Sequence, residues 1–301
     1  MSSPVENVWY WAPFQDTDRS AEGWIFGITA LTCVLLVTTL RLILRRGVYG
    51  LDDALICGSM ASYMAQHALL FYALRLGLGK DNELLTVEQQ HSVATAFLAS
   101  DIFALLSHYL AKLSIAWFIR RLFFNHALIN AWSCRALIGA IVGSGAISLI
   151  VAGVARFPLG TLKGIIAVPI TFHSWTAITA LDVINEIVLA AIPTWLVLTI
   201  MKKGSQKTLV SIVFLSRLPL CAMSILHLTR VNFALSDEAE IMIRLLGCSG
   251  SFEVLLVWSL TSASIPALKS LVQPFNDIKD VVEEKDAGHA GPQGAFFYRG
   301  G

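Results

Sequence analysis

Acids, histidines and cations recur inside long apolar stretches of this chain. Buried in lipid, each costs a few kcal/mol or more, so each is expected to face protein and to have a partner. Asp101, His108 and Lys112 are spaced i, i+7 and i+11. On a helix that spacing keeps them within about 40° of one another, as a polar stripe on one face. Asp182, Asn185 and Glu186 fall within one turn, and the two acids share a face at i, i+4. His67, Arg217, His227, Arg230, Arg244 and Glu253 are also enclosed by apolar sequence. The chemistry such groups support is acid–base. A carboxylic acid in an apolar cavity can donate a proton to an alkene, epoxide or carbonyl of a lipophilic substrate. The candidate acid is Asp101 or Glu253, with Asp182 and Glu186 as partners. His67, His108, Trp175, His227 and Trp258 are candidates for lining the substrate. The π faces of Phe103, Trp175, Phe233 and Trp258 would stabilise a carbocation, although rings facing lipid are the plainer reading.

Structural readings stand beside these. Lys112 with an acid is a buried ion pair that fixes helix register. Arg217 needs a similar partner, which Glu253 or Glu186 would supply. Asp52 and Asp53 sit where a helix begins, and there they cap it and complement its dipole. Arg120 and Arg121 read as topology anchors.

Several chemistries lack their residues. A retinal Schiff base needs a lysine in the middle of the seventh span, and none occurs between Arg244 and Ala267. Asp182 and Glu186 have no His at helical ligand spacing, so no metal site is expected. Neither a phosphate loop nor a nucleophile elbow is present. No cofactor is expected. Net charge is +1 with no long basic run, which argues against nucleic acid.

The elements that position these residues are set by hydropathy. Of 301 residues, 55% are hydrophobic and 14% charged, and mean hydropathy is +0.66. A soluble chain carries about 25% charge; a bilayer tolerates this composition because lipid is the outer solvent. Seven runs reach the length of about 20 residues needed to cross it: Gly23–Leu44, Leu51–Leu74, Val93–Phe118, Ala136–Ala155, Phe172–Ile200, Leu209–Leu235 and Ile241–Leu268. They must be helices, because lipid satisfies no backbone group. The expected fold is an all-α bundle of seven transmembrane helices, residues 23–272, between a polar N-terminal tail (1–22) and a disordered C-terminal tail (273–301). The tail is not basic-then-apolar in the manner of a cleaved signal peptide. Arg45 and Arg46, Arg120, Arg121 and Arg135, Lys202, Lys203 and Lys207, and Lys269, Lys279 and Lys285 fall on alternate links. The positive-inside rule then puts the N-terminus outside and the C-terminus in the cytoplasm. The membrane is the endoplasmic reticulum or the plasma membrane. Five cysteines lie in apolar runs or a basic loop, so no structural disulfide is expected.

A set of short motifs occurs in a fixed order. Arg41 to Arg46 precede Gly50-Leu51-Asp52-Asp53, and Gly77-Leu78-Gly79 follows the second span. Leu110-Ala111-Lys112-Leu113-Ser114 runs into Arg120-Arg121-Leu122-Phe123. Leu181-Asp182-Val183 leads to Pro193, and Phe252-Glu253-Val254 leads to Pro266-Ala267-Leu268-Lys269. Over residues 24–272 the chain resembles the fungal rhodopsin-domain family of seven-helix membrane proteins. The resemblance implies a fungal source and a seven-helix bundle; it does not imply a photochemical function, since most members have no assigned activity. Some members are receptor-like; others occur among proteins of secondary-metabolite pathways. This chain departs from the family pattern at Asp182 and Glu186, where Asn and Asp are usual, and at Asp101 and His108. It also lacks the family's external cysteines and has a short link between spans four and five.

The expected function is a membrane-embedded acid–base enzyme of such a pathway, a cyclase or isomerase of a prenylated, terpenoid-like substrate. Its partners would be the lipid bilayer and a lipophilic small molecule. The alternatives are a receptor-like protein sensing a small ligand and a non-catalytic accessory protein. The short tail and the missing external disulfide weigh against the receptor. Seven spans without an inverted repeat weigh against a transporter.

Overall fold

The apolar runs form helices, and their ends are set by local chemistry. A computed structural model describes residues 18–81, 84–122, 128–154, 168–200, 204–235 and 241–289. The helices are α1 (Ser20–Leu44), α2 (Leu51–Leu76), α3 (Val87–Leu122), α4 (Leu128–Val154), α5 (Val168–Ile200), α6 (Gly204–Leu215), α7 (Pro219–Leu235) and α8 (Ile241–His289). Among the described residues, seven stretches are long and apolar enough to cross a membrane, and α6 with α7 forms the sixth. No strand occurs among them, only an isolated bridge between Asp18 and Lys80. The polar tail expected before residue 18 and the last residues, 290–301, lie outside the described residues. Helix α8 continues to His289, into the segment whose sequence reads as a polar tail.

Helix α3 begins at Val87, six residues ahead of its apolar run, because Thr86 and Gln89 form a capping box. The Gln89 amide donates to Thr86 Oγ1 at 3.3 Å and the Thr86 amide donates to Gln89 Oε1 at 3.0 Å, so two otherwise orphaned donors are satisfied. Its 36 residues make about 54 Å of helix, well beyond a hydrocarbon core of about 30 Å. The turn between α2 and α3 needs glycine. Gly77 has φ +123° and Gly79 φ +90°, and a Cβ on Gly77 would lie 2.5 Å from Leu85. The Arg19 amide donates to the Gly79 carbonyl at 2.9 Å, which pins the start of α1 to that turn.

The sixth span is not one helix. Pro219 has no N–H to donate and disfavours helix at the residue before it, and the chain turns at Ser216, Arg217 and Leu218 before α7 begins. The Leu220 amide bonds the Arg217 carbonyl at 2.9 Å instead of that of Ser216. The freed Ser216 carbonyl accepts from the indole N–H of Trp258 on α8, at 3.1 Å. Backbone groups in lipid need such internal partners.

The helices close a ring in chain order, α8 returning against α1, with α3 packed on α2, α4 and α8. The most apolar stretch of α3 is 67% buried, against 28% for α1 and for the sixth span. The ring's outer surface is apolar: Ile28, Leu36, Ile150, Ile184, Trp195 and Leu226 are exposed, as a lipid-facing surface requires.

Candidate functional site

The buried charged residues do not meet in one interior cavity. Apart from Asp101, those described separate into three groups, each joining several helices.

The first lies at the α1–α2 end. Arg41 is fully buried. Its Nε donates to Asp53 Oδ1 at 3.2 Å, its Nη1 to the Ala263 carbonyl of α8 at 2.8 Å, and its Nη2 reaches Asp52 Oδ2 at 3.3 Å. Arg45 Nη1 bonds both acids, with Asp53 Oδ1 at 2.7 Å. Asp53 Oδ2 also accepts from the Gly50 amide at 3.1 Å, so it caps α2 as expected. Ser114 of α3 donates to the Asp52 carbonyl at 2.6 Å. Arg121 lies 3.5 Å from Asp52. The two acids therefore tie α1, α2, α3 and α8 together, a larger role than capping alone.

The second group is central. Asp182 Oδ1 takes Lys112 Nζ at 2.6 Å and His108 Nε2 at 2.7 Å; Oδ2 accepts from Ser224 at 2.5 Å. Glu186 binds Arg217 through two parallel bonds, Nε to Oε2 at 2.9 Å and Nη2 to Oε1 at 2.8 Å. Lys112 also lies 3.3 Å from Glu186, and Arg217 Nη1 donates to Ser262 at 3.2 Å. Of the two acids offered to Arg217 by the sequence, Glu186 is the partner. The i, i+7, i+11 stripe on α3 is real for His108 and Lys112, which converge on Asp182. His108, Asp182 and Glu186 are close enough for a shared ion, but the Lys112 ammonium fills the space between the two carboxylates. Both acids have their oxygens engaged by donors, which suits an anchor better than a proton donor.

Beside this group is a small cavity of about 20 Å³ lined by His108, Trp175, Thr179, Asp182, His227 and Phe252, among others. That is room for about one water molecule. His227 stacks on Phe252 at 4.7 Å, Trp175 meets His227 edge-on at 5.1 Å, and His227 Nδ1 lies 3.0 Å from Ser251 Oγ.

The third group surrounds Glu253 of α8. Tyr63 donates to Oε2 at 2.9 Å and Gln66 Nε2 bonds Oε1, both from α2. Among the described residues, the one basic side chain within ion-pairing reach is His67, its Nε2 3.5 Å from Oε2. The carboxyl group is thus held by neutral donors and a histidine, with neither lysine nor arginine. Glu253 also lines a cavity of about 230 Å³ between α1, α8 and Leu70 of α2. Gly23, Phe26, Gly27, Leu246, Gly247 and Gly250 form half of its wall, and Arg19 and Glu22 stand at one end.

The remaining candidates fall elsewhere. Asp101 is buried on α3 and lines neither cavity. His67 supports Glu253 without lining its cavity. Trp258 serves the break in the sixth span. Phe103 and Phe233 are exposed on the bundle's outer face, so they are not part of either cavity wall. Arg230 is exposed on α7 rather than enclosed.

The model of the fungal rhodopsin domain matches residues 37–274. The chain belongs to that family. With seven helical spans long and apolar enough to cross a bilayer among the described residues, it is a multi-pass membrane protein. No curated protein sequence and no solved structure matches it. All three polar groups fall within the fungal rhodopsin domain. The motifs that carried the resemblance supply their central members: Asp52 and Asp53, Lys112, Asp182 and Glu253. Those motifs are thus contacts between helices. Sequence reading missed Tyr63 and Gln66 around Glu253 and Arg41 as partner of the two aspartates. The first two are uncharged, so a search for intramembrane charge passes over them; Arg41 looks like one more basic residue at the end of a span.

Proposed function

We propose that this fungal rhodopsin-domain protein is a membrane-embedded acid–base enzyme of a secondary-metabolite pathway, a cyclase or isomerase of a prenylated, terpenoid-like molecule, with Glu253 as its acid. The observation that carries the reading is that Glu253 alone of the four candidate acids combines a sizeable cavity with partners that are not permanent cations. The carboxylic acid gives its proton to an alkene or epoxide of the substrate. The resulting carbocation rearranges or closes a ring, and a proton lost from the product returns to the carboxylate. The sequence of steps is redox-neutral and needs no cofactor. Tyr63 and Gln66 hold the carboxyl group in place and stabilise it when it is ionised. His67 is the positioning residue behind it. Asp182 and Glu186 hold the frame. In this reading the Arg-rich α1–α2 end faces the cytoplasm.

Microsomes containing the chain are expected to convert a farnesylated phenol, or its terminal epoxide, to an isomer of the same mass. Glu253→Gln should abolish product at unchanged protein level, while Asp101→Asn retains it. Full turnover by Glu253→Gln removes the assignment. Saturable binding without any product would favour the receptor reading of the same cavity.

A further inference from the structure

The cavity at Glu253 is long, and its two ends differ. Its walls run from Arg19 to Gly27 on α1 and from Ile243 to Glu253 on α8, about 12 and 15 Å along the helix axes. At one end Arg19 and Glu22 are exposed. At the other Glu253 is 1% exposed. Apart from Ser249, the wall between is apolar or glycine, and Phe26, at 42% exposure, leaves it open toward the lipid-facing surface.

The glycines of the two walls are not equivalent. On α1 a Cβ at Gly23 would come 2.7 Å from Leu246, and one at Gly27 2.8 Å from Phe71. A larger residue at either position would have to push those side-chain ends aside, so here glycine lets side chains of α8 and α2 lie close against α1. On α8 a Cβ at Gly247 or Gly250 would meet no atom within 4 Å. Helix packing does not require glycine there, yet both residues line the cavity one and two turns from Glu253. Their effect is to keep the cavity wide.

Resting on the enzymatic reading above, we infer that Gly247 and Gly250 determine substrate width, in a channel that takes an amphiphile with its polar head at Arg19 and Glu22 and its hydrocarbon terminus at Glu253. At about 230 Å³ the cavity is smaller than the roughly 300–1,000 Å³ that encloses a drug-sized ligand. It therefore accepts one slender unbranched or prenyl arm, and the rest of the molecule stays at the membrane surface. Entry is from the lipid past Phe26, so the hydrocarbon never crosses water.

The test is photolabelling of the full chain in lipid nanodiscs with two farnesol probes, one with a diazirine at the distal terminus and one beside the hydroxyl, read by peptide mass spectrometry. The distal probe is expected to label Gly250–Glu253, and the hydroxyl-end probe Arg19–Gly23. Gly250→Leu fills the channel and should lower labelling of both segments about tenfold, the equivalent of 1.4 kcal/mol. Gly247→Ala should lower it less. Gly143→Leu, at an exposed glycine of α4 that also has open space, should leave it unchanged and shows that a leucine added to a helix is tolerated. Labelling spread evenly over lipid-facing segments, a reversed order of the two probes, or labelling unaffected by Gly250→Leu would overturn the inference. Glu253→Gln separates it from the enzymatic reading: that variant should keep the labelling of Gly250–Phe252 and of Arg19–Gly23, so a loss of turnover with that labelling intact speaks to the acid and not to the channel.

Discussion

The surroundings of Glu186 and Glu253 differ although both acids are buried in the same bundle. Glu186 is gripped by Arg217 through two bonds and approached by Lys112. Glu253 is held by a phenol and an amide, with a histidine behind, and a cavity lies against it. A buried charge is tolerable when an opposite charge and further donors surround it. A buried acid without such a cation keeps proton chemistry open. Charge inside a membrane span thus sits in two distinct settings here, and the partner tells them apart.

That contrast can be broken by substitution. The largest effect is expected from Arg217→Met or Lys112→Met, either of which leaves the two buried carboxylates of the central group with one permanent cation instead of two. Removing one member of a buried pair costs about 3–5 kcal/mol, so thermal unfolding in detergent should show a marked loss of stability for both. Unchanged melting would mean that the central group is not a frame. Next comes Trp258→Phe, which keeps the ring but removes the N–H that satisfies Ser216. Leaving such a carbonyl without a partner costs about 1–3 kcal/mol, and the same melting assay should fall between the two extremes. The smallest change in melting is expected for Glu253→Gln. Its amide retains a hydrogen-bonding shape beside Tyr63, no cation is stranded, and stability should move by about 1 kcal/mol, the worth of one hydrogen bond. A collapse comparable to that of Arg217→Met would place Glu253 with the frame and leave the bundle without an acid to do chemistry.

The bundle was legible because a run of some 20 apolar residues has few other fates. The partners were less so. Spacing along α3 placed His108 and Lys112 on one face, and they do share Asp182. Spacing says nothing of which helix stands opposite, so neither Arg41 with Asp53 nor Gln66 with Glu253 was visible. The early start of α3 was readable in Thr86 and Gln89, a pattern that hydropathy alone passes over. Pro219 likewise marked the break in the sixth span, but the apolar residues on both sides hid it.

That break bears on how the protein is made. Helices of 12 and 17 residues are each shorter than the roughly 20 needed to cross a membrane, and Arg217 stands at their junction. The fifth span, already synthesised, brings Glu186 to the arginine, so spans five and six can enter the membrane as a hairpin. The bare carbonyl of Ser216 must wait for Trp258, which leaves the ribosome only with the last span. The sixth span is therefore incomplete until the seventh arrives, and a nascent chain halted between them would expose that gap to the cell's membrane quality control.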